Sequence, residues 1–153
     1  MRKDSNINID EMYDVASEFY YCGELCRTSF GREGIPDRVL IVPEAVNYAF
    51  ACEIFLKILL LISNIPYTYE HKLENLFNKL PDKYKNEIID LCDKEYKGDR
   101  EPFNMQFLSN VSSAFEKWRY CYEKENPPLK IGFLFIFSKI LKEKCSREMF
   151  FVQ

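Results

Sequence analysis

The sequence has little of what catalytic and metal-binding motifs are usually built from. It contains one histidine, His71, and its six cysteines form no Cys-X-X-Cys pair. Zinc sites need clustered thiolates or imidazoles, so we expect no metal site. The chain also has no glycine-rich phosphate loop, no Gly-X-Ser-X-Gly elbow and no His-Glu-X-X-His motif. These absences exclude several common enzyme classes, and we expect no bound cofactor.

Glycine and proline are scarce, with five and seven residues among 153, and no low-complexity tract is present. Strand and hairpin signals are nearly absent, whereas apolar residues recur at helical spacing. The sequence therefore predicts an all-α fold. We expect a single up-and-down bundle of about five helices that spans residues 1–153 as one domain.

Capping residues and breaks give the approximate bounds of the helices. The first helix should present one apolar stripe to the core, composed of Met12, Val15, Phe19, Cys22 and Cys26. The predicted helices cover about residues 9–30, 43–63, 70–80, 81–96, 104–125 and 129–147.

A strong excess of positive charge is also missing, because the formal net charge is −3. This argues against a protein whose whole surface binds polyanions, although a local basic patch is allowed. The N-terminus does not resemble a signal peptide, and the apolar stretch over residues 49–62 is too short and too charged to span a bilayer. Scattered thiols are typical of a reducing compartment. We therefore expect a cytoplasmic protein without membrane contact.

What the chain does contain is an apolar helix with two charges in its middle. Glu53 and Lys57 lie one turn apart in a stretch that is hydrophobic on all sides, which indicates a central helix. Buried charges are costly alone and tolerable when they are paired. The two side chains either form an internal ion pair or line a shared pocket or interface.

A second candidate is the segment around Arg119, which follows Trp118 and precedes Tyr122 and Glu123. Arg119 lies next to the apolar stripe of its helix, and a planar guanidinium can bind a phosphate or carboxylate through two hydrogen bonds. The structural alternative is a half-buried salt bridge to Glu123 or Glu53.

The third candidate is His71, at the start of a predicted helix. An imidazole titrates near neutral pH and can transfer protons, although a histidine at a helix start is often a structural hydrogen-bonding group. The preceding tyrosines, Tyr67 and Tyr69, could stack on a base or simply pack.

Three segments, in this order, resemble the HEPN superfamily of small helical domains. They are Val46–Leu60, His71–Phe77 and Ala114–Glu123, and the similarity covers about residues 43–125.

The resemblance implies a helical bundle that usually forms a homodimer. Many members are metal-independent ribonucleases of toxin–antitoxin and phage-defence systems, and others partner a small nucleotidyltransferase or act as silent modules. The active members place a histidine after the arginine on the same helix. Here Arg119 matches the arginine, and the positions where the histidine would follow hold Lys124, Glu125 and Asn126.

The leading hypothesis is therefore a HEPN-like protein that binds or cleaves RNA or binds a nucleotide. Arg119 and His71 would be the catalytic residues, and Glu53, Lys57, Tyr122 and Glu123 the binding residues. The alternative is a catalytically silent dimerisation module. An antitoxin or a nucleotidyltransferase is a further possible partner.

Overall fold

Six helices form the part of the chain that the computed structural model describes, which is residues 7–29, 31–34, 40–67, 69–96, 105–112 and 130–152. No strand occurs within these ranges. The predicted all-α fold is confirmed, and the architecture is compatible with a bundle of about five helices. The helices are α1 (Ile9–Arg27), α2 (Ile41–Ile62), α3 (Leu73–Asn78), α4 (Asp82–Glu95), α5 (Met105–Ser112) and α6 (Ile131–Val152).

Helix α2 lies at the centre of the bundle, with α1 and α6 packed along it. Twelve of its 22 residues are buried, and Phe50, Ile54, Leu61 and Ile62 are half-buried, as expected for a central apolar helix. The prediction that this stretch is too short to cross a bilayer is wrong, because α2 is long and apolar enough by length and composition. However, 61% of its most apolar window is buried inside the protein, as in the core helix of a soluble domain. The cytoplasmic location stays a prediction.

Helix α1 packs against α2 through a different face from the predicted one. Its N-terminus is capped by Asn8, whose side chain accepts hydrogen bonds from two backbone N–H groups. The face towards α2 contains the buried residues Ala16, Tyr20 and Gly23. Ala16 and Gly23 are small, which allows the two helices to approach closely, and Tyr20 packs beside them against Tyr48.

The predicted apolar stripe of α1 consequently lies at the edge of this contact, where the Phe19 ring stacks on Phe50 of α2 with 5.0 Å between the ring centroids. Met12, Phe19 and Cys26 are half-buried, while Val15 and Cys22 are exposed. The expectation that all five residues face the core is therefore wrong for Val15 and Cys22.

The chain reverses direction at the end of α2 through a Schellman motif. Asn64 adopts the left-handed conformation, with φ of 55°. Its N–H donates to Leu61 O at 2.9 Å, and the N–H of Ile65 donates to Leu60 O at 2.8 Å, which is the hydrogen-bond pattern of this cap. After this reversal, His71 lies beside Glu53 in the middle of α2.

Helix α3 is short and is held by its apolar face and by α5. Ser112 in α5 accepts a hydrogen bond from the N–H of Glu74 at 2.9 Å. The predicted inner face of α3 is confirmed by the burial of Leu73, Leu76, Phe77 and Leu80.

The last helix, α6, continues past Arg147, its predicted end, to Val152.

The close approach at Gly23 gives a test of the packing between α1 and α2. A Cβ atom at Gly23 would lie 2.7 Å from Cε1 of Tyr48, and that ring is fully buried with its hydroxyl donating to Glu24 at 2.7 Å. We expect Gly23→Ala to lower the free energy of unfolding by about 1–3 kcal/mol, because the ring must move in a packed core. Urea denaturation followed by circular dichroism measures the change.

Gly132→Ala is the matched control, because a Cβ at Gly132 meets nothing within 4 Å. In a helix this change should be neutral or stabilising by up to about 1 kcal/mol. A Gly23→Ala protein as stable as Gly132→Ala would contradict the described packing.

Candidate functional site

The carboxylate of Glu53 connects two basic side chains from different parts of the chain. Its Oε1 atom accepts a hydrogen bond from Lys57 Nζ at 2.6 Å and lies 2.9 Å from His71 Nδ1. Lys57 is one turn away on α2, whereas His71 precedes α3. The structure thus brings together three of the residues that sequence reasoning selected.

Two local features place His71 beside Glu53. The Schellman motif at Asn64 returns the chain to α2, and the carboxylate of Glu70 then fixes the backbone before α3. Glu70 accepts hydrogen bonds from the N–H groups of His71 and Lys72 and from the side chain of Asn75, at 2.8–3.0 Å. The Lys72 N–H and then the Asn75 amide lower the pKa of the Glu70 carboxyl, since they favour its charged form.

The three side chains differ in their exposure to solvent. The side chains of Glu53 and Lys57 are 11% and 13% exposed, whereas that of His71 is 61% exposed. A carboxylate only accepts hydrogen bonds, so Nδ1 of His71 is the donor to Glu53. This contact fixes the ring and leaves Nε2 to accept or donate a proton at the surface.

Tyr67 covers the lysine side of this cluster. Lys57 Nζ lies 5.4 Å from the centroid of the Tyr67 ring, which is within the range of a cation–π contact. Tyr67 is itself half-buried. Of the two interpretations of this tyrosine, packing is therefore the one that its position supports.

The remaining predicted site residues, Arg119, Tyr122 and Glu123, lie outside the described residues. Glu53 was considered as a partner of Arg119, and within the described residues its partners are Lys57 and His71. The assignment of catalytic and binding roles to all six residues stays a prediction.

A second buried charge, Lys144 of α6, has an extensive set of partners. Its side chain is 3% exposed and donates hydrogen bonds to Glu87 of α4 at 2.5 Å and to Glu148 at 2.6 Å. Tyr84 also donates to Glu148, at 2.7 Å. Burial raises the pKa of Glu148, but the hydrogen bonds from Lys144 and Tyr84 outweigh it, and the pKa falls below its usual value. This cluster ties α4 to α6.

A third buried charge is Glu44 near the start of α2, with its side chain 2% exposed. Arg27 of α1 approaches it to 3.5 Å, and the guanidinium also lies 4.1 Å from the centroid of the Phe135 ring. Desolvation raises the pKa of Glu44 more than Arg27 lowers it. The pair joins α1, α2 and α6 and resembles a structural tie.

Sequence reasoning missed Lys144, Glu44 and the role of Glu70. The signal for Lys144 was its position three and four residues after Leu141 and Ile140, on the apolar face of α6. For Glu70 the signal was an acidic residue just before a helix start. Glu44 had no distinguishing signal beyond its place in the first turn of an apolar helix.

The cysteines behave as buried hydrophobic residues in three of the five described cases. Cys52, Cys92 and Cys145 are buried, Cys26 is half-buried and Cys22 is exposed. Within the described ranges, no group of three histidine, cysteine or acidic side chains could hold a metal ion.

Comparison with known proteins adds no relative: no family model, curated protein or solved structure matches this chain. The resemblance to the HEPN superfamily thus stays a prediction, with which a small helical fold is compatible.

The cluster makes a prediction about stability. Glu53→Ala leaves Lys57 largely buried without its carboxylate, so we expect a loss of about 3 kcal/mol in the free energy of unfolding. A double variant, Glu53→Leu with Lys57→Met, should recover most of that loss, because it removes both charges and keeps the volume. Urea denaturation measures both changes.

The control is the pair of exposed Asp82 and half-buried Lys85, whose charged atoms lie 2.8 Å apart. Asp82→Ala should leave stability close to that of the wild type, since exposed pairs contribute little. Equal effects of Glu53→Ala and Asp82→Ala would show that the pair of Glu53 and Lys57 is not buried in solution.

Proposed function

We propose that this protein cleaves RNA without a metal ion, at a site formed by Glu53, Lys57 and His71. One observation carries the proposal: a buried carboxylate holds Nδ1 of an imidazole whose side chain is 61% exposed. A histidine oriented in this way can exchange protons with a ligand through its other nitrogen.

The chemistry is an internal transesterification. Nε2 of His71 accepts the proton of a ribose 2′-hydroxyl, and the 2′ oxygen forms a bond to the adjacent phosphorus. The bond from phosphorus to the 5′ oxygen breaks, that oxygen takes a proton from water, and His71 releases the proton it accepted to solvent. The products are a 2′,3′-cyclic phosphate and a 5′-hydroxyl end.

Each neighbour of His71 has a distinct part in this scheme. Glu53 orients the imidazole through its contact with Nδ1, as a positioning residue. Lys57 holds the Glu53 carboxylate. Arg119 is the proposed stabiliser of the phosphate charge that develops in the transition state, with Tyr122 and Glu123 beside it on the sequence.

The activity can be tested with purified protein and labelled total RNA in EDTA. We expect cleavage that His71→Ala lowers by at least a hundredfold, as for the loss of a general acid–base group. Arg119→Ala should also abolish it. Gel electrophoresis measures the cleavage, and end-group analysis should find 2′,3′-cyclic phosphates.

Arg32→Ala, at an exposed arginine in the connector after α1, is the control for loss of positive charge and should cleave normally. Absence of cleavage by the wild-type protein would contradict the enzymatic proposal and favour the silent module.

A second candidate function, the catalytically silent module, is favoured by a specific similarity. The pair of Glu53 and Lys57 has the same form as the pair of Lys144 and Glu148, namely a buried contact one turn apart on a single helix. The pair of Lys144 and Glu148 connects α6 to α4 through Glu87 and Tyr84. In this alternative, Glu53 connects α2 to the segment that contains His71.

The homodimer is proposed on the outer face of α1. Tyr21 and Leu25 are 55% and 58% exposed, Val15 is 38% exposed, and Cys22 is exposed. Val15, Cys22 and Leu25 lie on one side of the helix, at positions spaced by seven and three residues. A two-fold dimer would pair this apolar stripe with the same stripe of a second copy.

The dimer predicts a change in mass on substitution of Leu25. Leu25→Glu places a charge in the apolar stripe, so we expect the variant to be monomeric where the wild type is dimeric. Sedimentation velocity over a range of concentrations measures this, with Asn86→Glu on the exposed surface of α4 as the control. A wild-type protein that stays monomeric at all concentrations would overturn the proposed interface.

The defence or toxin–antitoxin setting, and a partner antitoxin or nucleotidyltransferase, are proposals that rest on the resemblance alone. A gene for such a partner next to this one would support them.

A further inference from the structure

We propose that Tyr69 stacks on an unpaired base of single-stranded RNA, beside the cluster of Glu53, Lys57 and His71. The inference deepens the proposed function, on which it rests, because it names the class of RNA that the site accepts. It also assigns a role to a residue that the cleavage chemistry does not use.

The first argument is the unusual exposure of the Tyr69 ring. Tyr69 is 90% exposed, whereas Tyr48, Tyr20 and Tyr96 are at most 9% exposed. Its neighbour Tyr67 is half-buried over Lys57. Of the two tyrosines in this loop, one therefore packs and the other presents both faces of its ring to solvent. An amphipathic ring of this kind is a frequent contact for nucleic-acid bases.

The second argument is that the backbone on the C-terminal side of Tyr69 is held in place. Glu70 follows Tyr69 directly, and its carboxylate accepts three hydrogen bonds from the residues at the start of α3. Because this backbone is anchored, the Tyr69 ring loses less conformational entropy when a ligand binds.

The third argument is the distance to the reactive group. Tyr69 and His71 are two residues apart, so their Cα atoms are separated by at most about 7 Å. A single nucleotide can span that distance, with its base on Tyr69 and its ribose and phosphate near His71. Lys72, the next residue, is exposed and adds a positive charge for the phosphate.

The chemistry selects single strands over duplexes. In a duplex both faces of each internal base are covered by neighbouring bases, whereas an unpaired base has a face available for an aromatic side chain. Stacking also tolerates any base, so we expect weak sequence preference and a clear preference for unpaired RNA.

The test measures binding separately from cleavage. The probe is a fluorescein-labelled, 2′-O-methyl 12-nucleotide oligouridylate, which lacks the 2′-hydroxyl that the reaction consumes, and fluorescence anisotropy in EDTA gives the Kd. We expect Tyr69→Ala to weaken binding at least tenfold, as for other base-stacking aromatics. Tyr69→Phe keeps the ring and should bind within about threefold of the wild type.

Phe151→Ala is the matched control, because Phe151 is also exposed, at 85%, but lies on α6. It should bind like the wild type. A duplex of the same length should bind at least tenfold more weakly than the single strand. Circular dichroism checks that each variant is folded, which the exposure of both aromatic side chains favours.

Three results would overturn the inference: no binding of the single strand by the wild-type protein, equal binding by Tyr69→Ala, or equal binding of duplex and single strand. The inference and the proposed cleavage fail separately. If binding depends on Tyr69 but no RNA is cleaved, the enzymatic proposal is contradicted and the stacking site is supported. If cleavage depends on His71 but binding is unchanged by Tyr69→Ala, the stacking site is contradicted and the enzymatic proposal is supported.

Discussion

Helix α2 carries one carboxylate in the middle of its apolar length, and the arrangement of the surrounding elements depends on how that carboxylate is satisfied. A charged group so far from water requires hydrogen-bond donors close by. Lys57 supplies one from the same helix, at 2.6 Å, and His71 supplies another at 2.9 Å. The second donor requires the chain to turn after α2 and to bring His71 back to Glu53, so the hydrogen bonding of one carboxylate constrains the position of His71.

The contrast with the other buried charges clarifies why this cluster is the candidate site. Lys144 lies between two carboxylates, Glu87 and Glu148, and it is 3% exposed, so no ligand can reach it. Glu44 is equally enclosed, with Arg27 as its cation. At Glu53 the buried carboxylate instead contacts a ring that is largely open to solvent. Contact with the buried Glu53 carboxylate fixes the orientation of the His71 ring, while exposure of that ring lets a ligand reach Nε2.

Much of the fold follows from periodic patterns that the sequence displays directly. The all-helical architecture, the central place of α2 and the inner face of α3 are predicted by apolar spacing, and each is found. The face of α1 was predicted wrongly, because the apolar pattern marks where large hydrophobic residues lie. The contact is set instead by Ala16 and Gly23, whose small size permits close approach to Tyr48.

The candidate site was predictable in part for a related reason. The contact between Glu53 and Lys57 follows from their spacing on one helix. The approach of His71 does not, since it depends on the left-handed conformation of Asn64 and on the hydrogen bonds of Glu70. Such loop geometry cannot be predicted from residue spacing in a single sequence. The place of Arg119 stays a prediction, because that residue lies outside the described ranges.

The uneven burial of the thiols has a practical consequence. Burial raises the pKa of Cys52, Cys92 and Cys145, so these thiols seldom ionise and react slowly with alkylating reagents. Cys22 projects from the outer surface of α1 into water. Among the five described cysteines it is the natural attachment point for a spin label or a fluorophore. A label at Cys22 would therefore report on the surface of α1 that is proposed for the dimer.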